Sequence, residues 1–374
     1  MIVGVDIREW QPGRRTGIGR VLEEFLRTAA ALRPRDRFVL IGNATCEIRV
    51  KAGNCAIVRI PERWTPWWDQ ITLARALAAY GADVLYSPYI KIPLRGTVPV
   101  VNTIHDLTFF RRADYNVRRS DLLRNPPFRL FCRLAIKRAS VTLVDSQASA
   151  QDVQRDLHAD PAKLRVVPLA TGRRFYEQGN PTDDRKVWER YGLSTGYVFY
   201  IGGFWPHKNV TTLVCAYAAL PESLRRQSPL VLAGTPVPAD LHRLIRSRED
   251  CRPVAMIGMV PDEDLPALYR GAALFAFPSH YEGFGLPVLE AMACGVPVLC
   301  STAPALAELT QDAAERVDPE NLTAWGQALQ TLLEDTPRRQ RLAESGRARA
   351  ALFTAERMTE AMLNVFDEVG AGKT

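Results

Sequence analysis

Glu282 and Glu290 stand eight residues apart in the run Ser279-His-Tyr-Glu-Gly-Phe-Gly-Leu-Pro-Val-Leu-Glu290. The apolar run at 274–278 precedes the glycine-rich turn and reads as a buried strand. Residues 287–294 read as a helix that opens on Pro287 and closes at Gly295. A strand, a glycine turn and a helix N-terminus in succession offer backbone N–H groups and the positive end of a dipole to an anion. Glu282 lies just before the turn. Glu290, three residues after Pro287, is expected on the first helical turn, pointing back at the same ligand. A carboxylate there accepts from hydroxyls rather than from phosphate. The combination suggests a ligand that carries both hydroxyls and phosphates, such as a sugar nucleotide.

Four further segments carry residue types that fit such a ligand. Gly202-Gly-Phe-Trp-Pro-His-Lys-Asn209 joins a strand to a helix, and Lys208 is placed to reach a diphosphate. Taken alone, Lys208 reads more readily as a solvated lysine at a helix start; the neighbouring segments favour the diphosphate. Thr16-Gly-Ile-Gly-Arg20 follows the first strand and leads into a helical stretch at 21–32. Gly17 and Gly19 let backbone approach a ligand there, although a turn and helix start would explain them too. The segment is not a full dinucleotide fingerprint, and no acidic residue ends a second strand some 20 positions on. Val100-Val-Asn-Thr-Ile-His-Asp-Leu107 is a strand ending in His105 and Asp106. His105 is placed to bond a sugar or to serve structure, and Asp106 to orient it or to cap the next helix. Ser146, at the end of Val144-Asp-Ser, is a helix N-cap.

The elements that must position these residues alternate. Apolar runs at 2–7, 38–42, 56–60, 84–87, 98–105, 141–146 and 164–168 form one series. Runs at 197–202, 230–234, 254–257, 274–278 and 296–300 form a second. The runs are continuous rather than alternating, as in parallel strands covered on both faces, and helical patterns separate them. Residues 171–184 are polar and turn-rich and read as a linker. The expected architecture is two Rossmann-like, doubly wound α/β domains facing a cleft, at 1–172 and 185–352. Ligands should lie at the carboxyl ends of the strands. A helix at 353–374 is placed to cross back to the first domain.

Composition narrows the classes. The chain has 374 residues and 47% hydrophobic content, with no apolar run of 18 residues, so no membrane-spanning helix is expected. Met1-Ile-Val-Gly-Val-Asp6 lacks the pattern of a signal peptide, and seven scattered cysteines without Cys-x-x-Cys fit reduced thiols, which points to the cytoplasm. Neither cysteines nor histidines show metal-ligand spacing. Through residue 170 there are 27 Lys and Arg against 16 Asp and Glu, net +11. The remainder, with 21 against 25, is net −4. A basic first half suggests an anionic partner there. Residues 111–138 hold nine basic and two acidic residues, with Arg129, Arg133 and Lys137 on one helical face. That face reads as a contact for anionic lipid or as a solvated face. Trp64, Trp67 and Trp68 around Pro66 fit acceptor contacts, membrane contacts or packing. No RNA- or DNA-binding motif is present, so a nucleic-acid partner is not expected.

The run from 277 to 298 resembles the glutamate–seven residues–glutamate signature of glycosyltransferase family 4 (group 1), retaining enzymes of the GT-B fold. Gly17-Ile-Gly-Arg20, Thr103-Ile-His-Asp-Leu107 and the Lys208 segment resemble that family's segments in the same order, especially in bacterial mannosyltransferase-like members. One departure is clear. Gly203 and His207 occupy the commoner positions of the family's diphosphate-binding arginine, so Lys208 alone matches its basic pair.

The resemblance implies retaining, metal-independent transfer of a hexose from a nucleotide diphosphate sugar, with no cofactor. GDP-mannose is favoured as donor, with UDP- and dTDP-sugars as alternatives. It implies Glu282, His105 and Lys208 at the reacting centre, with Glu282 holding donor-sugar hydroxyls and Glu290 the ribose hydroxyls. Gly17, Gly19, Gly203, His207, Gly283, Phe284, Gly285 and Leu286 complete the donor site. Asp106 and Arg20 fall on the acceptor side. The implied acceptor is a lipid-linked oligosaccharide of bacterial surface polysaccharide, at the inner face of the cell membrane. Two other readings keep the fold: a GT-B epimerase of nucleotide sugars, and a non-catalytic sugar-nucleotide sensor. The base would be read by loops near 234–238 and 258–261.

Overall fold

The computed structural model describes residues 1–13, 16–110 and 125–371. Valine-, isoleucine- and leucine-rich runs of three to six residues form its thirteen described strands. Most are buried on both faces, as β-branched residues favour when helices cover a sheet from either side.

Seven strands make the first sheet: β1 (Ile2–Asp6), β2 (Arg37–Gly42), β3 (Cys55–Arg59), β4 (Val84–Ser87), β5 (Val100–Ile104), β6 (Val141–Val144) and β7 (Leu164–Val166). Their order is β3-β2-β1-β4-β5-β6-β7, with every pair parallel. Six make the second: β8 (Tyr197–Ile201), β9 (Leu230–Ala233), β10 (Val254–Gly258), β11 (Ala272–Phe277), β12 (Val298–Ser301) and β13 (Glu315–Val317). Their order is β10-β9-β8-β11-β12-β13, again all parallel. Twelve strands overlap the twelve apolar runs of the sequence. β13 escapes that pattern because it is a three-residue edge strand reading Glu-Arg-Val.

The chain divides into two units. One is Met1–Ala170 with the C-terminal segment from Phe353; the other is Thr171–Leu352. In the first unit the helix Ala355–Ala371 packs on the helix Gly17–Leu32. Phe366 lies edge-on to Phe25 at 5.9 Å and 5.4 Å from Tyr86, and Arg33 pairs with Asp367 at 2.7 Å. In the second unit an aromatic cluster of Phe199, Tyr269, Phe275 and Phe277 fills the sheet face, with ring centroids 5.4–6.1 Å apart.

The segment read as a linker is part of the second unit. Phe175 is fully buried against Tyr269, and Asp184 is held by Arg270 at 2.6 Å. Asn180 caps the helix Pro181–Arg190. Its polarity belongs to caps and ion pairs, which look like loop chemistry in a linear reading.

Candidate functional site

In the second sheet the direction of winding changes between β8 and β11, which are neighbours. Loops leaving the carboxyl ends of such a pair run apart and leave a crevice between them, the usual ligand position in open α/β sheets. The β8 loop holds Lys208 and the β11 loop holds Glu282. Lys208 Nζ donates to Glu282 Oε1 at 2.7 Å, and it lies 5.5 Å from the Phe277 ring centroid. The side chains are 19% and 11% exposed, so the pair is largely sheltered yet open to a ligand.

Local chemistry sets each loop. After β8, Tyr200 O–H donates to the Gly203 carbonyl at 2.7 Å, and Pro206–Lys208 forms a 3-10 turn. Asn209 follows in the left-handed region at φ 54°, its amide bonded to the Pro319 carbonyl at 2.8 Å. The turn places Lys208 just ahead of the helix Val210–Ala218. His207 is buried, and its carbonyl accepts from the backbone N–H of His280 at 2.8 Å, which ties the two loops together. After β11, Gly283, Phe284 and Gly285 are buried, and Leu286 and Pro287 are half-buried. Gly285 is the N-cap of the helix Leu286–Ala293, at φ 106° and ψ 48°.

That cap corrects the expected placement of Glu290. The helix opens at Leu286 rather than at Pro287, with Pro287 second, and no acidic residue falls in the first turn. Glu290 is therefore the fifth helical residue. It is 2% exposed and accepts from the Tyr269 hydroxyl at 2.9 Å. A separate cavity of about 570 Å³ lies between the β8 and β9 loops, lined by Phe204, Trp205, Pro206, Thr235 and Pro236 among others. It borders one of the two loops expected to read the base.

In the first unit, Gly17 and Gly19 are not a loop. They form the first turn of the Gly17–Leu32 helix, with the Thr16 hydroxyl accepting from Gly19 N–H at 3.0 Å. Gly19 is buried because the Trp10 ring lies across it and donates to its carbonyl at 3.1 Å. Arg20, half-buried, follows on the same turn.

His105 sits at the carboxyl end of β5. Its Nδ1 lies 2.8 Å from Asp145 Oδ2 and its Nε2 lies 3.1 Å from the Pro88 carbonyl. Two acceptors call for two N–H donors, the imidazolium form. Burial opposes the charge, but Asp145 outweighs it, so His105 titrates above the ordinary histidine range. Asp145, not Asp106, orients the ring; Asp106 Oδ1 accepts from Thr108 N–H at 3.0 Å. Ser146 caps the helix Gln147–Leu157, accepting from Ser149 N–H at 3.0 Å.

The raised pKa sets the sign of a pH effect. The His105 contribution to stability is present below about pH 6.5, the unfolded value, for as long as Asp145 stays ionised, and is lost as pH rises through the higher folded value. Asp145→Asn should lower the His105 pKa, measured by NMR titration of the ring protons. It should also flatten the stability difference between about pH 6 and 8. An unchanged His105 titration would remove Asp145 from this role.

Asp145 and Tyr269 were not among the residues singled out from the sequence. Asp145 had a legible signal, a charged residue at the end of an apolar strand; Tyr269 had none. A third group, Asp6, Arg8 and Asp69, is a buried ion cluster at the end of β1. Arg8 lies 2.7 Å from Asp6 and 2.6 Å from Asp69, and stacks 3.9 Å above Trp68. Among the described residues, no group of three or more His, Cys, Asp or Glu could hold a metal ion. All seven cysteines are free, and no described helix is long and apolar enough to cross a membrane. The 111–124 part of the basic stretch lies outside the described residues.

Residues 189–349 match the family model for glycosyl transferases group 1, and residues 16–171 that for glycosyltransferase family 4. The chain is 33% identical over 296 residues to the O-antigen chain mannosyltransferase B of Escherichia coli, covering 78% of this chain and 76% of that protein. It is 31% identical over 242 residues to the serotype-specific mannosyltransferase WbdA of Escherichia coli, covering 62% of this chain but only 29% of that longer protein. Sucrose-phosphate synthase from Thermosynechococcus elongatus shares the fold, with a TM-score of 0.81 over 100% of both chains at 21% identity.

Proposed function

The chain belongs to the glycosyl transferases of group 1 and family 4, and from that premise we propose that it moves a hexose, mannose in preference, from a nucleotide diphosphate sugar to a lipid-linked saccharide. Transfer proceeds with retention at the anomeric carbon and without a metal ion. The observation that carries the reading is the Lys208–Glu282 contact of 2.7 Å at the switch between β8 and β11, beside the Gly285 turn. Likeness to the O-antigen chain mannosyltransferase B over 76% of its length supports mannose.

The donor diphosphate draws Lys208 away from Glu282 and lies against the amides of the 283–285 turn and the helix N-terminus. Glu282, released, accepts from the hydroxyls of the donor sugar. Glu290, its carboxylate fixed by Tyr269, accepts from the ribose hydroxyls. The bond from the anomeric carbon to the leaving phosphate oxygen breaks as the acceptor oxygen attacks from the same face. The leaving phosphate takes the acceptor's proton, so the step needs no protein base. His105, charged and oriented by Asp145, sits in the first unit, whose part is to hold the acceptor.

Thermal unfolding with GDP, UDP, dTDP and ADP, and with their sugar conjugates, tests the donor half. Ligand at 100 times Kd should add about 2.7 kcal/mol of stability. One nucleotide series, GDP by preference, should raise Tm, equally with and without EDTA. Absence of a shift with every series would sink the reading.

The acceptor half includes a membrane surface. On the helix Asn125–Arg138, residues Arg129, Leu130, Arg133, Leu134 and Lys137 are all exposed, at a spacing that puts them on one face. Cations interleaved with exposed leucines suit anionic headgroups above acyl chains, at about 1 kcal/mol per cation. Sedimentation with phosphatidylglycerol vesicles should show binding that phosphatidylcholine vesicles do not. Arg133→Glu with Lys137→Glu should weaken it at least about tenfold. Equal binding to both vesicle types would rule out this face.

A further inference from the structure

A sheet edge presents unpaired backbone N–H and C=O groups, and a charged side chain on the edge strand discourages another strand from adding there. Among the described residues the two sheets have four edge strands. Three carry such a charge: Arg59 on β3, Arg165 on β7, and Glu315 and Arg316 on β13. The fourth, β10, reads Val-Ala-Met-Ile-Gly and carries none. It is bonded to β9 on one side only, and all five of its residues are half-buried, whereas the four of β9 are buried.

The surface around β10 carries both halves of a match. Met259, one residue past the strand, is 64% exposed. Along the strand runs a cavity of about 370 Å³, lined by the apolar Ile245, Val254 and Met256 and by the exposed Arg246, Arg248 and Arg252. Arg248 and Arg252 pair with Asp250 and Glu249 at 2.5 and 2.7 Å, in solvent-exposed contacts of little worth. Among the described residues no ion pair of Arg246 is seen, and three arginines against two carboxylates leave this side of the strand net positive. Past Met259 the sign reverses. Asp262 and Asp264 are buried against Arg174 and Arg190, at 3.6 and 2.7 Å, while Glu263 between them is exposed.

This surface is complementary to itself. Two copies related by a two-fold axis add edge to edge in antiparallel fashion, and the same patch serves on both. With the axis at Ala255, Val254 of one copy faces Met256 of the other. Met259 of one then comes to Cys251 of the other, in the cavity wall, and Glu263 comes to Ser247, between Arg246 and Arg248. An exposed methionine meets an apolar hollow and a carboxylate meets cations, each twice. The ladder with β9 shifts register between Met256 and Gly258, so the regular edge is short and predicts a reversible dimer rather than an obligate one.

We infer that β10 is a dimerisation edge, on which a second copy of this chain adds its own β10 and seats its Met259 in the cavity beside Met256. The dimer does not depend on the transferase reading.

Sedimentation velocity of the full chain from about 1 to 100 μM tests it. The share of dimer should rise with concentration. Met259→Lys and Glu263→Arg should each weaken dimerisation at least about tenfold, since each change enters the contact twice. Both replace exposed side chains, so the monomer should keep its circular dichroism and Tm, which separates loss of the dimer from loss of the fold. A monomer at every concentration would overturn the edge. So would a dimer whose affinity in either variant stays within about twofold of the unmodified chain.

Discussion

Lys208→Ala is expected to lower kcat/KM for sugar transfer by about 10²–10³, the usual effect of losing one preorganised group that meets charge developing in the transition state. Lys208 is paired with Glu282 at 2.7 Å, and both side chains are mostly sheltered. In the proposed function the lysine is held where the diphosphate enters, its charge balanced by Glu282. By the family resemblance, Gly203 and His207 occupy the commoner positions of a second, arginine cation, so in the proposed function little compensates for the loss of Lys208. Glu282→Gln should cost less in donor binding, because the amide still accepts from sugar hydroxyls. The double variant Lys208→Ala with Glu282→Ala should be far from additive, since the two contacts share one partner. Steady-state transfer rates, with nucleotide melts on the same proteins, separate chemistry from binding. Transfer within about threefold of the unmodified enzyme in Lys208→Ala would refute the diphosphate role.

Gly285→Ala is expected to unfold the second unit's site and to lower Tm by about 4–20 °C. Two costs add. A residue with a Cβ at φ 106° pays roughly 1–2 kcal/mol in backbone strain. A Cβ there would also stand 2.4 Å from Leu306 Cδ2, a fully buried side chain packed in the core, so overpacking adds about 1–3 kcal/mol. At about 2–4 °C per kcal/mol for a unit of this size, the sum gives that range. The same turn supplies the amides proposed to meet the diphosphate, so the nucleotide-induced shift should vanish with it. Gly192→Ala isolates the backbone part. Gly192 is also left-handed, at φ 65°, but nothing lies within 4 Å of its missing Cβ. It should lose only about 2–8 °C, less than Gly285→Ala, and keep nucleotide binding. Equal losses in the two variants would show that the contact with Leu306 contributes nothing.

The two predictions rest on different levels of the molecule. The backbone part of the Gly285 effect is local, and its position between a strand and a proline-led helix already announces it, whereas the clash with Leu306 is not local. Lys208 acts through a partner 74 residues away, which no local pattern announces. The open edge at β10 is of the second kind. Its five residues read as one more apolar run, and only the strand order leaves them at an edge. Even for His105, picked out by its neighbours Thr103-Ile104 and Asp106-Leu107, the sequence leaves Asp106 between orienting the ring and capping, and the structure gives the ring to Asp145. Asp106 is adjacent in the chain, whereas Asp145 is adjacent in space because β5 and β6 lie side by side.

Continuous apolar runs separated by helical patterns were enough to determine two parallel-sheet domains, because strands covered on both faces cannot alternate polar and apolar residues. Short-range chemistry likewise determined the glycine turn after β11 and the Ser146 cap, since each is satisfied within a few residues of chain. Strand order lies beyond such reading. β8 could neighbour any strand as far as its own five residues are concerned; the helices that carry the chain across the sheet place it beside β11 and so bring Lys208 to Glu282. Depth lies beyond it too. The left-handed Gly285 starts the helix one residue early, at Leu286, and Glu290, fifth in it, is buried with one oxygen on the Tyr269 hydroxyl. Local segments determine which groups are present and how their backbones bend, while the packing of many distant segments decides which of those groups meet.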